Sequence, residues 1–165
     1  MENYPYTTNY SGRQVDIELL QSITKPVKLK KVNVSNVSET PKIVTGIEKL
    51  AQRYTLLFLS TLGSIHFDTD QGTELVGQLL GGVIQNRGNL ESAFAVANNL
   101  VMQQFEKDDL KTDIYGEIQD DENLDDVKLL DFDIEQATGT IYLQIQLITV
   151  AGDDITFIVP TSAPR

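Results

Sequence analysis

Three runs of alternating apolar and polar residues near the C-terminal end of the sequence restrict the fold more than any other feature. The runs cover residues 127–135, 140–149 and 154–159, and short sequences that contain glycine separate them. Alternation with a period of two, broken by turn residues, is typical of strands with one buried face joined in antiparallel order. The sequence therefore predicts a three-stranded antiparallel meander, which ends at Pro160.

The apolar positions of these runs are expected to face the interior of the protein. The first run places Leu130, Phe132 and Ile134 on that face, between acidic neighbours. The second run places there Ile141, Leu143, Ile145 and Leu147, between Tyr142, Gln144 and Gln146. The opposite face of the sheet is therefore expected to be polar.

Helical periodicity before the meander predicts two long helices and one short helix. Apolar residues recur at intervals of three and four over 47–61 and again over 90–105, where the period is cleanest. Residues 74–80 read as a short helix that ends at a glycine pair. Helices followed by a meander make an α+β domain, so we predict an α+β fold with these three helices packed on the sheet.

The starts of the helices carry capping residues. Thr45 and Glu48 have the spacing of a capping box, in which each side chain bonds the backbone N–H of the other residue. Thr40-Pro41 is the alternative start of this helix, and Thr45 is favoured because Gly46 would otherwise lie inside the helix. Thr73 is expected to cap the short helix and Asn89 the third helix.

Residues 1–42 are expected to form an extended N-terminal arm that precedes a domain at 43–165. The arm is polar, with one helical turn predicted at 15–23 and one lysine-rich strand predicted at 27–34. Lysine on a strand is typical of a protected sheet edge, so 27–34 is a candidate edge strand. For residues 1–26, two alternatives stay open: the arm is disordered, or it becomes ordered only on a partner.

The net charge of −11 is distributed unevenly along the chain. Residues 1–53 contain eight basic and five acidic side chains, whereas the rest contains five basic and nineteen acidic ones. Phosphate contacts need clustered lysine and arginine, so nucleic acid is not an expected partner. The uneven distribution of charge suits docking of acidic and basic patches against different neighbours. The alternative interpretation is a solvated acidic surface.

Composition also limits the compartment and the chemistry. The sequence contains no cysteine, so it predicts neither disulfides nor a thiolate nucleophile. No run of about 18 apolar residues is present, and the first residues lack the pattern of a secretory signal, so no membrane contact is expected. We expect assembly in a cytoplasm.

No catalytic motif accompanies the ionisable residues. The single histidine, His66, lies near Ser64 and Asp68, but alternate strand residues merely share a face and do not form a triad. Glu74 with Asp68 or Asp70 could provide a pair of carboxylates for a glycosidase, as many acids in this sequence could. We therefore expect no enzymatic activity.

Cofactor and metal sites are likewise not predicted. The acidic run at 113–126 fails the EF-hand pattern, because the sixth and twelfth positions counted from Asp121 are Asp126 and Phe132 instead of glycine and glutamate. The glycines at 72, 81 and 82 belong to no phosphate-binding pattern.

Residues 45–160 together resemble the baseplate wedge or sheath-initiator family of contractile-tailed bacteriophages. This small "lysozyme-like" baseplate family has relatives in type VI secretion baseplates. Four stretches carry the resemblance: GIEKLAQRYTLLFLST, LGSIHFDTDQGTEL, LESAFAVANNLVMQQF and the meander ending GTIYLQIQLITVAGDDITFIVP. The family often has a Glu-Pro-Arg signature before the first strand of the meander. Here the corresponding residues are Asp121-Glu122-Asn123-Leu124, which retain only the acid.

The resemblance implies a structural protein of the virion tail baseplate. Such a protein joins the wedge proteins through its helical side and nucleates sheath polymerisation by offering sheet edges to sheath strands. The implied partners are the tail sheath protein and baseplate wedge proteins, with tail tube or hub proteins as further partners. Another phage tail or head-completion adaptor is the first alternative, and a peptidoglycan-cleaving lysozyme is the second.

The last two strands supply the candidate partner-binding residues. The strand at 154–159 consists of good β-formers, and an unpaired edge is a template for strand addition. The alternative is that the chain covers this edge itself with 27–34. The candidates are Thr140, Tyr142, Gln144, Gln146, Ile155, Thr156, Phe157, Ile158 and Val159.

Overall fold

Three helices and a three-stranded antiparallel sheet account for most of the described chain, which confirms the predicted α+β class. The computed structural model describes residues 16–17, 43–64, 69–81, 84, 86–110, 118–135 and 140–161. The helices are α1 (Gly46–Leu59), α2 (Leu75–Leu80) and α3 (Arg87–Asp109). The strands are β1 (Asp16–Ile17), β2 (Ile43–Val44), β3 (Leu124–Glu135), β4 (Thr140–Thr149) and β5 (Asp154–Thr161).

The helices cover one face of the sheet, and a single apolar core lies between the two layers. α1 lies against β5 and α3 against β3. Tyr54 and Phe58 of α1 stack with ring centroids 5.4 Å apart, and Phe58 lies at the same distance from Phe94 of α3. The fully buried strand residues of the core are Leu143, Ile145, Leu147 and Val159. The inward face of the second run is therefore as predicted.

α1 begins where the sequence indicates, but its first N–H group is satisfied by a distant residue. The helix starts at Gly46, with Thr45 as its N-cap, and the side chain of Thr45 makes no cap hydrogen bond. Glu122 accepts hydrogen bonds from the Gly46 amide over 3.1 Å and from Lys49 Nζ over 3.0 Å. The predicted cap by the Thr45 side chain is therefore wrong, and a carboxylate from the loop before β3 takes its place.

Two short segments, Ser60–Thr61 and Gly72–Thr73, lie side by side after α1 and are called the clip below. Thr73 pairs with Thr61 in a parallel bridge, its N–H donates to the Ser60 carbonyl, and its hydroxyl donates to the Phe58 carbonyl over 2.7 Å. The same hydroxyl accepts from the Leu75 amide over 3.3 Å. The N-cap of α2 is Glu74, one residue later than the predicted Thr73, but the Thr73 hydroxyl still bonds the first turn of α2 and holds it against the end of α1.

The start of α3 differs from the prediction by one turn. Asn86 is the N-cap, and its side chain accepts a hydrogen bond from the Asn89 amide over 2.9 Å. Asn89, the predicted cap, thus lies inside the first turn. Asn86 and Asn89 are both suitable N-cap residues. The prediction chose Asn89 because the apolar stripe of the helix starts at Leu90.

β3 contains an irregularity that overturns one prediction about its face. Leu129 pairs with Ile145 and Asp131 with Gln144, so Leu130 is the extra residue of a β-bulge. Its side chain is 45% exposed instead of buried. Phe132 lies inward as predicted, because the bulge restores the alternation.

The remaining strand boundaries follow the sequence closely. β4 has the predicted bounds, whereas β3 begins three residues earlier than predicted and β5 continues through Pro160 to Thr161. β1 pairs with β2 in antiparallel order, so the helical turn predicted at 15–23 is wrong for Asp16 and Ile17. The strand predicted at 27–34 lies outside the described residues.

Candidate functional site

The order of the strands decides which backbone a partner could reach. The sheet order is β3-β4-β5, so β4 is central and bonds both neighbours. Tyr142, Gln144 and Gln146 can therefore offer only their side chains, which are half-buried on the face turned away from the helices. Thr140, at the start of β4, is buried. Strand addition through β4 is thus excluded by the sheet order.

The predicted contact residues of β5 divide between the two faces of the sheet. Phe157 and Val159 are buried in the core, so their side chains are unavailable to a partner. Ile155 is half-buried and packs against the same core. Thr156 and Ile158 are half-buried on the opposite face.

The backbone of β5 alternates between β4 and the outer edge of the sheet. The Thr149 N–H donates to the Asp153 carbonyl over 2.9 Å and closes the turn between the strands. Hydrogen-bonded pairs then recur at every second position of an antiparallel ladder, at Ile155, Phe157 and Val159. The N–H and C=O groups of Asp154, Thr156 and Ile158 consequently point away from β4. No strand among the described residues pairs with this side of β5.

Pro160 fits the alternation of the β5 backbone and ends its row of outward N–H donors. It lies opposite Tyr142, in the set whose backbone faces outward, so its missing N–H breaks no bond to β4. Proline within a sheet is confined to such edge positions. The outer side of β5 therefore has outward N–H donors at Asp154, Thr156 and Ile158, followed by a carbonyl without a donor at Pro160.

The outer side of β3 differs from that of β5, because side chains of β3 itself accept hydrogen bonds from two of its outward N–H groups. The same alternation turns the N–H groups of Val127 and Phe132 outward. Val127 donates to Asp126 Oδ1 and Phe132 to Asp131 Oδ1, each over 2.8 Å. Each of these aspartates directly follows a break in the register of β3 with β4. Carboxylates thus already accept two of the hydrogen bonds that an incoming strand would need, while the same alternation turns the N–H group of Leu129 outward as well.

Charged side chains add to the closure of the β3 edge. Lys128 Nζ lies 3.5 Å from Asp126 Oδ2, and the Arg87 guanidinium lies 5.4 Å from the centre of the Phe132 ring. Arg87 also pairs with Glu91, and this hydrogen bond raises the pKa of the arginine. Charges and bulges at an edge are the usual protection against strand pairing. The β5 edge lacks such protection over most of its length. On the sheet face turned away from the helices, β5 has the uncharged residues Thr156, Ile158 and Pro160.

Sequence reasoning missed Asp126 and Asp131, although a local signal was present. Alternation in this segment fails twice, at the adjacent pairs Asp125-Asp126 and Leu129-Leu130. Two like residues in a row within a period-two run indicate a bulge, and an aspartate next to the bulge can bond a neighbouring N–H.

α3 presents an uncharged outer surface. Its sequence contains no charged residue from 92 to 105, between Glu91 and Glu106. Val96 is 61% exposed on this surface. The exposed residues of this stretch are Ser92, Ala95, Val96, Asn99 and Gln103.

The residues considered for catalysis are not assembled into a site in the described part of the chain. Glu74 is exposed at the N-cap of α2 without a cap hydrogen bond, and exposed Asp70 lies 3.9 Å from Lys107 Nζ. His66 and Asp68 lie outside the described residues. Among the residues described, no group of three or more histidine, aspartate or glutamate side chains could hold a metal ion.

Comparisons with known proteins leave the family open. A scan of family models and searches of curated proteins and solved structures found no match to this chain. The baseplate resemblance therefore depends on the sequence stretches quoted above. Within the described ranges, no helix is long and apolar enough to cross a membrane.

Proposed function

We propose that this chain is a structural, non-enzymatic component of a contractile-tail baseplate, where it nucleates the sheath by accepting a sheath strand. One observation carries the proposal: the outward backbone groups of Asp154, Thr156 and Ile158 have no strand partner among the described residues. Main-chain hydrogen bonds supply affinity in strand addition, and the neighbouring side chains supply specificity. The resemblance to sheath initiators supports the choice of the sheath as partner.

The helical side is the proposed contact with the wedge proteins. The uncharged surface of α3 around Val96 and Asn99 lies on a different element from β5, so both partners could bind together. Uncharged surface loses less hydration than charged surface when it is covered, which supports this surface as the site of a stable joint. Tube or hub proteins are further proposed neighbours in the virion.

A single backbone donor tests the strand-addition step. Thr156→Pro removes an outward N–H without removing a bond to β4, because Thr156 lies at a position that is not hydrogen-bonded to Gln146. Thr156→Val is the matched control, since it keeps the N–H and the branched shape. We expect folded baseplates without sheath for the proline variant, and sheath of normal length for the valine variant, in electron micrographs of assembled tails.

Two outcomes would count against the proposal. Sheath of normal length on the Thr156→Pro variant would exclude recruitment through β5, provided that circular dichroism shows an intact fold. Capture of head or neck proteins instead of sheath and wedge proteins by the tagged chain would place it among the adaptors.

A further inference from the structure

We propose that the sheet accepts an added strand on the β5 side only, and that the strand is an extended basic segment of another protein. The inference depends on the strand addition proposed above and specifies which edge is used and what chemistry the partner has. Two rows of outward backbone groups carry the inference. Asp154, Thr156 and Ile158 on one edge have no strand partner in the part of the chain that the structure describes, whereas on the other edge carboxylates bond the N–H groups of Val127 and Phe132.

Addition of a strand at the β3 edge has an energetic cost. An incoming strand at β3 would have to displace the carboxylates of Asp126 and Asp131 from the amides of Val127 and Phe132. Hydrogen bonds to charged groups are stronger than those between neutral groups, so two such bonds favour the closed edge. The two bulges also twist β3 away from the geometry of a regular ladder.

The open edge defines the partner by register. The added strand would form bonds with the outward groups of Asp154, Thr156 and Ile158, and Pro160 would end the pairing because it has no N–H. A lysine or arginine opposite Asp154 forms a favourable cross-strand pair, and β-branched residues suit the positions opposite Thr156 and Ile158. Alternate residues of the segment would extend the apolar face beside Ile155.

The charge of the domain distinguishes between two possible partners of β5, a strand of another protein and β5 of a second copy of this chain. Residues 54–165 contain nineteen acidic and five basic side chains, and Asp153 and Asp154 lie at the start of β5. Pairing of β5 with β5 of another copy would bring two acidic domains together, whereas a basic segment gains from the same field. The charge therefore favours a basic partner segment over β5 of a second copy. The lysine-rich segment 27–34 of this chain is also basic, and fast exchange of the Thr156 and Ile158 amides in the chain alone is the result that assigns the segment to another protein.

Backbone hydrogen exchange with a synthetic strand tests the inference on the full chain. The probe is a peptide of about seven residues in which valine and threonine alternate and both ends are lysine, a length that matches the open part of β5. In the chain alone, the amides of Thr156 and Ile158 are expected to exchange quickly and those of Phe157 and Val159 slowly. The peptide should slow exchange at Thr156 and Ile158 and leave β3 unchanged.

Variants and a second peptide make the test specific. Thr156→Pro should weaken peptide binding about tenfold, the equivalent of one hydrogen bond, whereas Thr156→Val should not. A peptide with aspartate in place of lysine should bind more weakly than the lysine peptide. The double variant Asp126→Ala with Asp131→Ala should bind a second peptide, at β3.

The contrary results are distinct from a failure of the proposed function. Slow exchange of Thr156 and Ile158 in the chain alone, protection of β3 by the peptide, or equal binding of the aspartate peptide would overturn the inference. Protection at Thr156 and Ile158, together with a normal sheath on the Thr156→Pro variant, would support the open edge and remove only its assignment to the sheath.

Discussion

The Glu122 carboxylate accepts a hydrogen bond from the backbone N–H of Gly46, which lies 76 residues earlier in the chain. Its second oxygen bonds the Lys49 ammonium over 3.0 Å, and both side chains are largely buried, 16% exposed for the lysine and 10% for the glutamate. A negative charge at this end of α1 also interacts favourably with the helix dipole. Glu122 therefore fixes the start of α1 to the segment that leads into β3.

Replacement of Glu122 by alanine is expected to destabilise the domain by about 1–3 kcal/mol, because it removes one acceptor of a partly buried ammonium and the acceptor of a helix N–H. The matched control is Glu91→Ala, which removes an exposed pair with Arg87 and should change the stability far less, because solvent screens an exposed ion pair. Urea unfolding followed by circular dichroism measures both. Equal losses for the two variants would mean that the Glu122 contacts add nothing to stability.

Gly72 permits the closest backbone approach in the clip after α1. Its φ of +103° disfavours any other residue, and a Cβ atom built on it would lie 2.7 Å from the Ser60 carbonyl oxygen. We expect Gly72→Ala to reduce the free energy of unfolding by more than about 2 kcal/mol, since strain and a backbone clash combine. Gly77 in α2 has no atom within 4 Å of such a Cβ, so Gly77→Ala should instead stabilise the fold by about 0.5–1 kcal/mol. A stable Gly72→Ala variant in thermal unfolding would contradict the clip geometry.

The sequence predicted the local features of this fold better than its distant contacts. The bounds of β4 and the start of α1 depend on neighbouring residues, namely the turns beside the strand and the Thr45-Gly46 pair, and both were correct. The cap by Glu122 joins residues far apart in the chain, so no local pattern could reveal it. The bulge at Leu130 also escaped, because an apolar residue in an alternating run normally faces the core.

The candidate site was predicted only in part for a related physical reason. Period-two patterning identifies which side chains share a face, but it gives neither the order of the strands nor the direction of each N–H group. Gln144 and Thr156 therefore looked equivalent in the sequence, although only Thr156 lies on an edge strand. The occupation of the other edge by Asp126 and Asp131 depends on two register shifts, which appear in the sequence only as the breaks in alternation at Asp125-Asp126 and Leu129-Leu130.

Tyr54 is fully buried, and its hydroxyl donates a hydrogen bond to Asn98 Oδ1 over 2.9 Å. Burial raises the pKa of this phenol above its ordinary value. A raised pKa in the folded state means that the stability from Tyr54 is complete below the unfolded pKa of about 10 and is lost as the pH rises further. Alkaline titration should therefore show at least one of the six tyrosines ionising only on unfolding.

Tyr54→Phe provides the comparison for that titration. The variant should lose about 1 kcal/mol at neutral pH, because Asn98 loses its donor, and its stability should fall less steeply above pH 10. Tyrosinate absorbance and circular dichroism on the same samples separate ionisation from unfolding. Parallel alkaline unfolding of the two proteins would show that ionisation of Tyr54 does not drive the loss.

Asp109 at the C-terminal end of α3 is expected to destabilise the fold at neutral pH. Burial raises the pKa of its carboxyl group and the neighbouring Asp108 and Glu106 add to the shift, whereas Arg53 opposes it. The folded chain therefore binds this proton more tightly than the unfolded chain, so stability falls as the pH rises from about 3.9 through the raised pKa. Asp109→Asn should be more stable than the natural chain at pH 7, and the difference should vanish below about pH 4. Glu91→Gln, at an exposed carboxyl near the other end of α3, is the control in urea unfolding at both pH values. A difference for Asp109→Asn that did not change with pH would point to helix capping instead of charge.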